Sequence, residues 1–267
     1  LDVSDCLFSF TEDQSILANS LLEKLIKDKK RPLILFCLRD DEYYLGRKDY
    51  SNLNLHYHRN VDALNYRPSI VFFLSKGFTV VRMGRVAEKK IELSHENFID
   101  LPNNQKFSVE CIGIKSREVL ELALFEKCRF VVSTGLGIDS AATMFRRRVY
   151  LTDYYSTHNL YASKLFPFFL PKSYSDKKSG RLLAASEIFN GHDFAGQTAK
   201  DFQDANVSLG NCNTDQILKF SLDILDFEMQ GKLPAQNRVA TSHVDWLTNC
   251  HFQGKHVPMI SNHWMNC

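Results

Sequence analysis

Residues 130–152 read FVVSTGLGIDSAATMFRRRVYLT, and this stretch decides the fold. The apolar runs at 130–132 and 149–152 have the β-branched and aromatic composition of buried strands, and 138–145 fits a short helix between them. A strand, a helix and a second strand in succession form the repeating unit of a parallel sheet. The stretch therefore predicts an α/β protein.

The same alternation extends along the chain. The run LILFCL at 33–38 is continuously apolar, as in a strand buried on both faces, and further strands are predicted at 78–82 and 96–100. Helices are predicted at 11–30, 61–76, 116–127 and 214–230, with Ser116 capping the third. These spacings predict a Rossmann-like parallel sheet with helices on both faces and right-handed crossovers.

Three segments are expected along the chain. Residues 1–32 form a lead helix that is a remnant of, or a linker to, an upstream domain, because a start at Leu1 rather than Met favours a fragment. Residues 33–233 form the Rossmann-like domain, in which 153–211 has a less regular pattern. Residues 234–267, rich in His, Asn and Trp, are predicted to be an irregular tail.

Composition narrows the classes of partner. Lys and Arg total 33 against 31 for Asp and Glu, so the net charge of +2 gives no reason to expect nucleic acid as a partner. The seven cysteines are widely spaced, which favours a reducing compartment. No apolar stretch approaches the ~20 residues of a membrane span. We therefore expect a cytoplasmic protein, with peripheral binding at the inner membrane face left open.

Polar groups follow the predicted strands. Arg39 and Asp40 come after the first strand, Arg82 and Gly84 at the end of the second, and the turn 133–137 after the strand at 130–132. In open parallel sheets, ligands bind beyond the carboxyl ends of the strands. An arginine at such an end can hold a diphosphate through two hydrogen bonds, although a surface salt bridge is the alternative for Arg39.

The glycine turn permits two interpretations. Gly135 and Gly137 allow close approach of a ligand, and Ser133 and Thr134 offer hydroxyl donors, but glycine is equally common in plain strand-to-helix turns. Asp139 suits sugar hydroxyls or a helix cap better than a phosphate. The spacing is neither G-x-G-x-x-G nor a P-loop, which disfavours kinases, NTPases and ordinary dehydrogenases.

A second polar segment lies at 57–62. Asn60 or Asp62 suits a helix N-cap, whereas His58 and Arg59 suit a position facing the cleft. His56 and His58 alternate as metal ligands can, but no third ligand is near. We expect no metal or other cofactor.

Several sequence blocks together resemble a family of bacterial glycosyltransferases of surface-polysaccharide clusters. They are FCLRDDEYY at 36–44, HYHRNVDALNYRPSIVFFLSKGFTVVRMG at 56–84, SREVLELALFEKCRFVVSTGLGIDSAATMF at 116–145 and ANVSLGNCNTDQILKFSLDILDFEMQGK at 205–232. The match covers most of 33–231. More distantly, the Arg39-Asp40 step and the turn after Cys128 resemble the donor-binding half of GT-B enzymes, including fucosyltransferases.

The resemblance implies a GT-B-type donor domain at 33–233 that binds a nucleotide-activated sugar without a metal. The implied donor-site residues are Arg39, Arg59, Asn60, Arg82, Gly84, Ser133, Thr134, Gly135 and Gly137. Asp40, Asp62 and Asp139 are implied as hydroxyl-binding or acid/base groups, with Arg39 and Asp40 placed at the reaction itself.

The resemblance also implies an acceptor, a glycan or a lipid-linked sugar, and a domain to hold it. No first Rossmann domain is recognisable before Leu1, so that domain is expected upstream, in a partner, or in the loops and tail. His58 before the Arg-Asn pair departs from the family pattern. The rival hypotheses are a non-catalytic nucleotide- or glycan-binding module and a nucleotide-dependent oxidoreductase, which the missing G-x-G-x-x-G disfavours.

Overall fold

The fold is centred on a seven-stranded sheet, seen in a computed structural model that describes residues 6–40, 42, 56–155, 163–184, 187–188, 198–234 and 259–260. Its strands are β1 (Leu33–Cys37), β2 (Thr79–Arg82), β3 (Phe98–Asp100), β4 (Phe130–Ser133), β5 (Arg148–Tyr154), β6 (Phe168–Pro171) and β9 (Met259–Ile260). They are all parallel, in the order β3-β2-β1-β4-β5-β6-β9. The first six follow the 3-2-1-4-5-6 order of Rossmann folds, which confirms the predicted fold class.

Helices cover both faces of the sheet. They are α1 (Glu12–Leu25), α2 (Arg67–Ser75), α3 (Val109–Ile112), α4 (Ile114–Lys127), α5 (Asp139–Met144), α6 (Ala199–Asp204) and α7 (Thr214–Gln230). The chain moves one way from β1 through α2 to β2 and the other way from β3 through α4 to β4. Right-handed crossovers in opposite directions place helices on opposite faces. Accordingly, α1 and α5 pack with α4, whereas α2 packs with α7.

The core lies where these layers meet the central strands. Every residue of β1, β2 and β4 is buried, as the continuous apolar run of β1 predicts, and the burial extends to the polar residues Thr79, Arg82 and Ser133. Phe73 of α2 fills the space over the sheet, with its ring 6.1 Å from that of Phe36 and 5.7 Å from that of Phe130. This packing fixes the strand ends that carry the polar residues.

Three predicted helix starts or ends are wrong in detail. Helix α1 ends at Leu25, five residues before the predicted end, and Ile26 already has extended backbone. The predicted helix at 61–76 begins as a 3₁₀ turn (Ala63–Tyr66), and α2 starts at Arg67 because Pro68 fits the first helical turn. Ser116 lies inside α4, whose N-cap is Gly113.

The segment predicted to be less regular contains further regular structure. Besides β6, it holds α6 and an antiparallel pair of strands, β7 (Ser173–Asp176) and β8 (Val207–Gly210). In the predicted tail, β9 pairs with β6, and the rest of 235–267 lies outside the described residues. The proposed domain boundaries remain predictions.

No helix in the described part of the chain has both the length and the apolar character needed to cross a bilayer.

Candidate functional site

A cavity of about 400 Å³ lies at the carboxyl ends of β1, β2 and β4. The order of the sheet reverses between β1 and β4, and ligands of open α/β sheets bind at such a reversal. Five of the predicted site residues line the cavity: Arg39, Asp40, Arg82, Gly84 and Gly137. The remaining wall is largely apolar, with side chains from Leu38, Met83, Val86, Leu136 and Ile138. The cavity therefore joins a polar rim to an apolar wall.

The turn after β4 is held closed by Asp139. Its Oδ2 accepts hydrogen bonds from Ser133 Oγ and from the Leu136 amide, both at 2.9 Å. Ser133 Oγ in turn accepts from the Gly135 amide at 3.2 Å. The Ser133 hydroxyl and the amides of residues 135 and 136 thus serve the turn itself, which leaves the side facing the cavity to Leu136 and Gly137.

Position 135 requires glycine for steric reasons, whereas position 137 does not. Its φ is +79°, and a Cβ atom there would lie 2.8 Å from ring carbons of Tyr154. A Cβ atom on Gly137 would meet nothing within 4 Å. The plain structural interpretation of the turn therefore accounts for Gly135, while Gly137 remains a candidate for contact with a ligand.

Asp139 is a buried carboxyl. Burial raises its pKa to about 6, although the hydrogen bonds from Ser133 and Leu136 and the charge of Arg59 act in the opposite direction. Its Oδ1 has no hydrogen-bond partner within the described residues. Asp139 is the first residue of α5, and its side chain closes the preceding turn.

Arg39 is joined to the turn through its backbone. Its amide donates to Thr134 Oγ1 at 3.0 Å, and the Thr134 amide donates to the Cys37 carbonyl at 3.0 Å. The Arg39 residue is 7% exposed and lines the cavity, so it is buried at the site rather than lying on the open surface. The ends of β1 and β4 are thus tied together beside the cavity.

Arg82 is an ion-paired arginine on the opposite side of the cavity. Its side chain is 1% exposed, with Nη2 3.4 Å from Asp40 Oδ2 and Nη1 3.5 Å from Asp100 Oδ1. Asp40 also accepts a hydrogen bond from the Glu88 amide at 3.2 Å. Burial raises the pKa of Asp40, against the Glu88 amide and the charge of Arg82. These contacts hold the loop after β2 against the end of β1.

Arg117 on α4 is a site-building residue that the sequence analysis missed. Its buried guanidinium donates to the carbonyl oxygen of Gly84, to that of Phe107 at 2.6 Å and to Glu121 Oε1 at 2.8 Å. Gly84 has a φ of +139°, and Glu121 lines the cavity. The available signal was an Arg and a Glu four residues apart on a helix.

Three residues of the segment 57–62 make contacts that hold the loops around the site. Arg59, in the 3₁₀ turn Tyr57–Arg59, donates from Nη2 to the Gly135 carbonyl at 2.9 Å and lies 5.3 Å above the Tyr155 ring. Asp62 accepts from the Leu64 amide at the start of the next turn and pairs with Lys89 at 3.2 Å. The N-cap role considered for Asp62 is therefore present. Asn60 is held through its carbonyl by Lys172, at 3.0 Å.

A buried polar network around Asp153 was also missed. Asp153 has a φ of +50° at an irregularity in β5, and its carboxylate accepts from Tyr66 Oη at 2.5 Å and from the Cys212 amide at 2.6 Å. Lys172 Nζ lies 3.9 Å from the same carboxylate and contacts Asn211. The signal was a lysine directly after the apolar run FPFFLP at 166–171. The network fixes the ends of β5 and β6 against the 57–60 turn.

The described residues include no group of three or more His, Cys, Asp and Glu side chains placed to hold a metal ion. Asp41, in the charged run after β1, lies outside the described residues.

Comparison with known proteins finds one weak structural similarity. No family model matches the chain, and no curated protein matches it. One solved structure, described as the E. coli ADP-heptose lps heptosyltransferase II, is similar at 15% identity and a TM-score of 0.32. The match covers 54% of this chain and 38% of that chain, so it spans less than half of that protein. A similarity this low carries no argument about function.

Proposed function

We propose that the protein is a metal-independent glycosyltransferase of GT-B type, which moves a sugar from a nucleotide-activated donor to an acceptor hydroxyl. The observation that carries the proposal is the cavity at the β1/β4 reversal, with Arg39 on its rim and the 133–139 turn beside it. Three of the sequence blocks that resemble bacterial surface-polysaccharide glycosyltransferases, at 36–44, 56–84 and 116–145, contribute residues to the lining of this cavity. Synthesis of a surface glycan is the role that we infer from them.

The chemistry requires stabilisation of a leaving diphosphate. As the bond from the anomeric carbon to the phosphate breaks, negative charge grows on the phosphate oxygens, and fixed cations and amide groups lower the barrier. We assign this role to Arg39 and Arg59, with Gly84 and Gly137 giving room for the ligand. Ser133, Thr134, Gly135 and Asp139 shape the wall of the donor site, while Asn60, Asp62 and Arg82 hold its surrounding loops.

Asp40 is the proposed general base. Its raised pKa suits a group that accepts a proton from the acceptor hydroxyl. The acceptor is a glycan or a lipid-linked sugar, held by an upstream domain or a partner, and the reaction takes place in the cytoplasm.

A second candidate is a non-catalytic nucleotide- or glycan-binding module. One observation favours it: both oxygens of the Asp40 carboxylate already accept backbone hydrogen bonds, from Glu42 and Glu88, and one of them also faces Arg82. A carboxylate held in this way serves structure as well as it would serve catalysis.

Binding followed by turnover separates the two candidates. Thermal stabilisation is measured with a panel of nucleotide sugars and NAD(P), and each hit is then assayed for release of its nucleotide. Stabilisation with turnover supports the transferase, stabilisation without turnover supports the module, and NAD(P) binding would revive the oxidoreductase. Failure of every ligand contradicts both the transferase and a nucleotide-binding module.

Arg39 gives the matched variants for that assay. Arg39→Ala should abolish donor hydrolysis or transfer while the far-ultraviolet circular dichroism spectrum stays that of a folded protein. The control is Arg181→Gln, since Arg181 is an exposed arginine paired with Glu187 outside the cavity. Full activity in Arg39→Ala would remove Arg39 from the site.

A further inference from the structure

His58 is a buried imidazole next to Arg59, a residue proposed for the donor site. It lies in the same 3₁₀ turn as Arg59, is 8% exposed, and is enclosed by aromatic rings. Its ring centre is 4.8 Å from that of Tyr155 in an edge-on arrangement and 5.1 Å from that of Phe202. The ring is thus held in one place by packing.

Neither nitrogen of His58 has a hydrogen-bond partner in the described part of the chain. A neutral imidazole carries one N–H donor and one acceptor nitrogen, so a buried donor is left unsatisfied. Buried polar groups in native proteins are nearly always paired, and an exception needs a physical explanation. A ligand that supplies the acceptor is one such explanation.

Cationic groups approach His58 from three elements. Arg59 belongs to its own turn, Arg39 follows β1 and Lys172 follows β6, with His56 as a further neighbour. Burial is the largest cause that lowers the pKa of His58 to about 4, and each of these four groups lowers it further. The imidazole is therefore neutral at pH 7.

The acidic groups nearby are already engaged. Asp201 on α6 accepts from the Thr198 amide at 2.8 Å and from Thr198 Oγ1 at 2.6 Å. Asp153 faces Lys172 and accepts from Tyr66 and Cys212. Among the described residues, Tyr57 and Tyr155 also place aromatic rings beside His58. The surroundings of His58 are thus richer in positive than in negative charge.

We propose that His58 belongs to the anion site: when a doubly charged anion binds beside Arg59, the imidazole takes up one proton and donates a hydrogen bond to that anion. The proton comes from the solvent and no covalent bond forms. The charge of the anion offsets the neighbouring cations and, as a charged acceptor, favours the protonated imidazole. The inference rests on the proposed function in one respect, since it takes the physiological anion to be the diphosphate of the donor.

The direct test measures the protonation of His58 in the full chain by NMR of the imidazole resonances. Sulfate is the first probe because it does not titrate near neutral pH, and UDP, GDP and ADP follow. We expect the measured pKa of His58 to rise by about three pH units on saturation, and the resonances of His95, on an exposed loop, serve as the internal control. An unchanged His58 pKa, or no binding of any of the four probes, would overturn the proposal.

Variants add a second readout. His58→Phe keeps the aromatic packing and removes both nitrogens, so sulfate affinity at pH 6 should fall by roughly fivefold or more and should vary less between pH 5.5 and 7.5. His95→Gln is the matched control and should bind as the wild type does. Wild-type pH dependence in His58→Phe would contradict the proposal.

The test is independent of sugar transfer. A rise in the His58 pKa with sulfate and nucleotides, without turnover of any nucleotide sugar, would support the anion site and count against the transferase. Turnover of a nucleotide sugar with an unchanged His58 pKa would leave the transferase standing and remove His58 from its site.

Discussion

Two regions at the same edge of the sheet contain arginines, and they differ in the carboxylates beside those arginines. In the β2 corner, formed by Arg82, Asp40 and Asp100, the arginine faces two carboxylates within 3.5 Å. In the cation cluster, formed by Arg39, Arg59 and Lys172 around His58, the Arg59 guanidinium donates to a carbonyl and lies over a tyrosine ring. No carboxylate within salt-bridge distance of Arg59 belongs to the described residues.

The comparison separates structural from ligand-binding cations. A guanidinium already balanced by two buried carboxylates has little attraction left for an incoming anion, and removing it leaves those carboxylates uncompensated. A guanidinium bound to a neutral carbonyl keeps its net charge for a ligand. Replacing arginines in the two regions should therefore affect different properties, stability in the first and anion binding in the second.

The largest expected effect is on stability in the β2 corner. Arg82→Met should lower the free energy of unfolding by about 3–5 kcal/mol, because Asp40 and Asp100 lose their buried partner. Urea unfolding at pH 7 measures it. The matched variant is Asp40→Asn with Arg82 intact. This variant keeps a hydrogen-bonding partner for Arg82, so it should lower the free energy of unfolding by less than Arg82→Met does. An Arg82→Met protein as stable as the wild type would show that the pair is not structural.

The next effect concerns the turn that joins the two regions. Gly135→Ala should lower the free energy of unfolding by about 2–4 kcal/mol, because the residue has positive φ and its Cβ would overlap the Tyr154 ring. Gly137→Ala is the control and should cost less than about 1 kcal/mol, since open space surrounds that position. Equal losses in the two variants, measured by urea unfolding, would contradict this account of the turn.

A smaller effect follows from the pKa of Asp139. Its folded-state value of about 6 lies above the ordinary 3.8, so the folded protein holds the proton more tightly and stability falls as pH rises from about 4 to 6. Asp139→Asn keeps an acceptor for Ser133 and Leu136 and removes that loss. The variant should be more stable than the wild type by about 1–3 kcal/mol at pH 7 and equal to it near pH 4.

The measurement for Asp139 is urea unfolding of both proteins between pH 4 and pH 7. Other titrating groups, including Asp40, are common to both proteins and cancel in the difference. A stability difference that does not change with pH would show that Asp139 is not the group responsible.

The sequence predicted the central strands well because the runs at 33–38 and 130–132 are continuously apolar. Such runs are typical of strands buried on both faces, and the alternation of strands with helices predicted a parallel sheet. The glycine turn was located correctly for the same reason. The hydrogen bonds by which Asp139 closes the turn were not predicted, since from the sequence the carboxylate could equally bind sugar hydroxyls or cap the helix.

The polar contacts around the site were much harder to predict. Arg82 and Arg59 both follow the family motifs, and nothing local to them reveals that Asp100 reaches the first or that Tyr155 lies under the second. Arg117 contacts Gly84, which is 33 positions away in the chain, and Lys172 contacts Asn60, which is 112 positions away. Such partners are set by tertiary packing, which local sequence patterns do not encode.

The smallest effect on stability is expected at Arg59, where the comparison is sharpest. Arg59→Met should change the free energy of unfolding by less than about 1 kcal/mol, because one partly exposed hydrogen bond and one ring contact are lost. Its affinity for sulfate should fall about tenfold, since a charged donor to the anion disappears. Arg59→Lys restores a charge without the planar stacking and should recover part of that affinity. Isothermal titration measures all three proteins. Two results together would contradict the comparison: an Arg59→Met protein that unfolds as easily as Arg82→Met, and sulfate binding by Arg59→Met that equals that of the wild type. The two arginines would then have the same structural role, whatever carboxylates lie beside them.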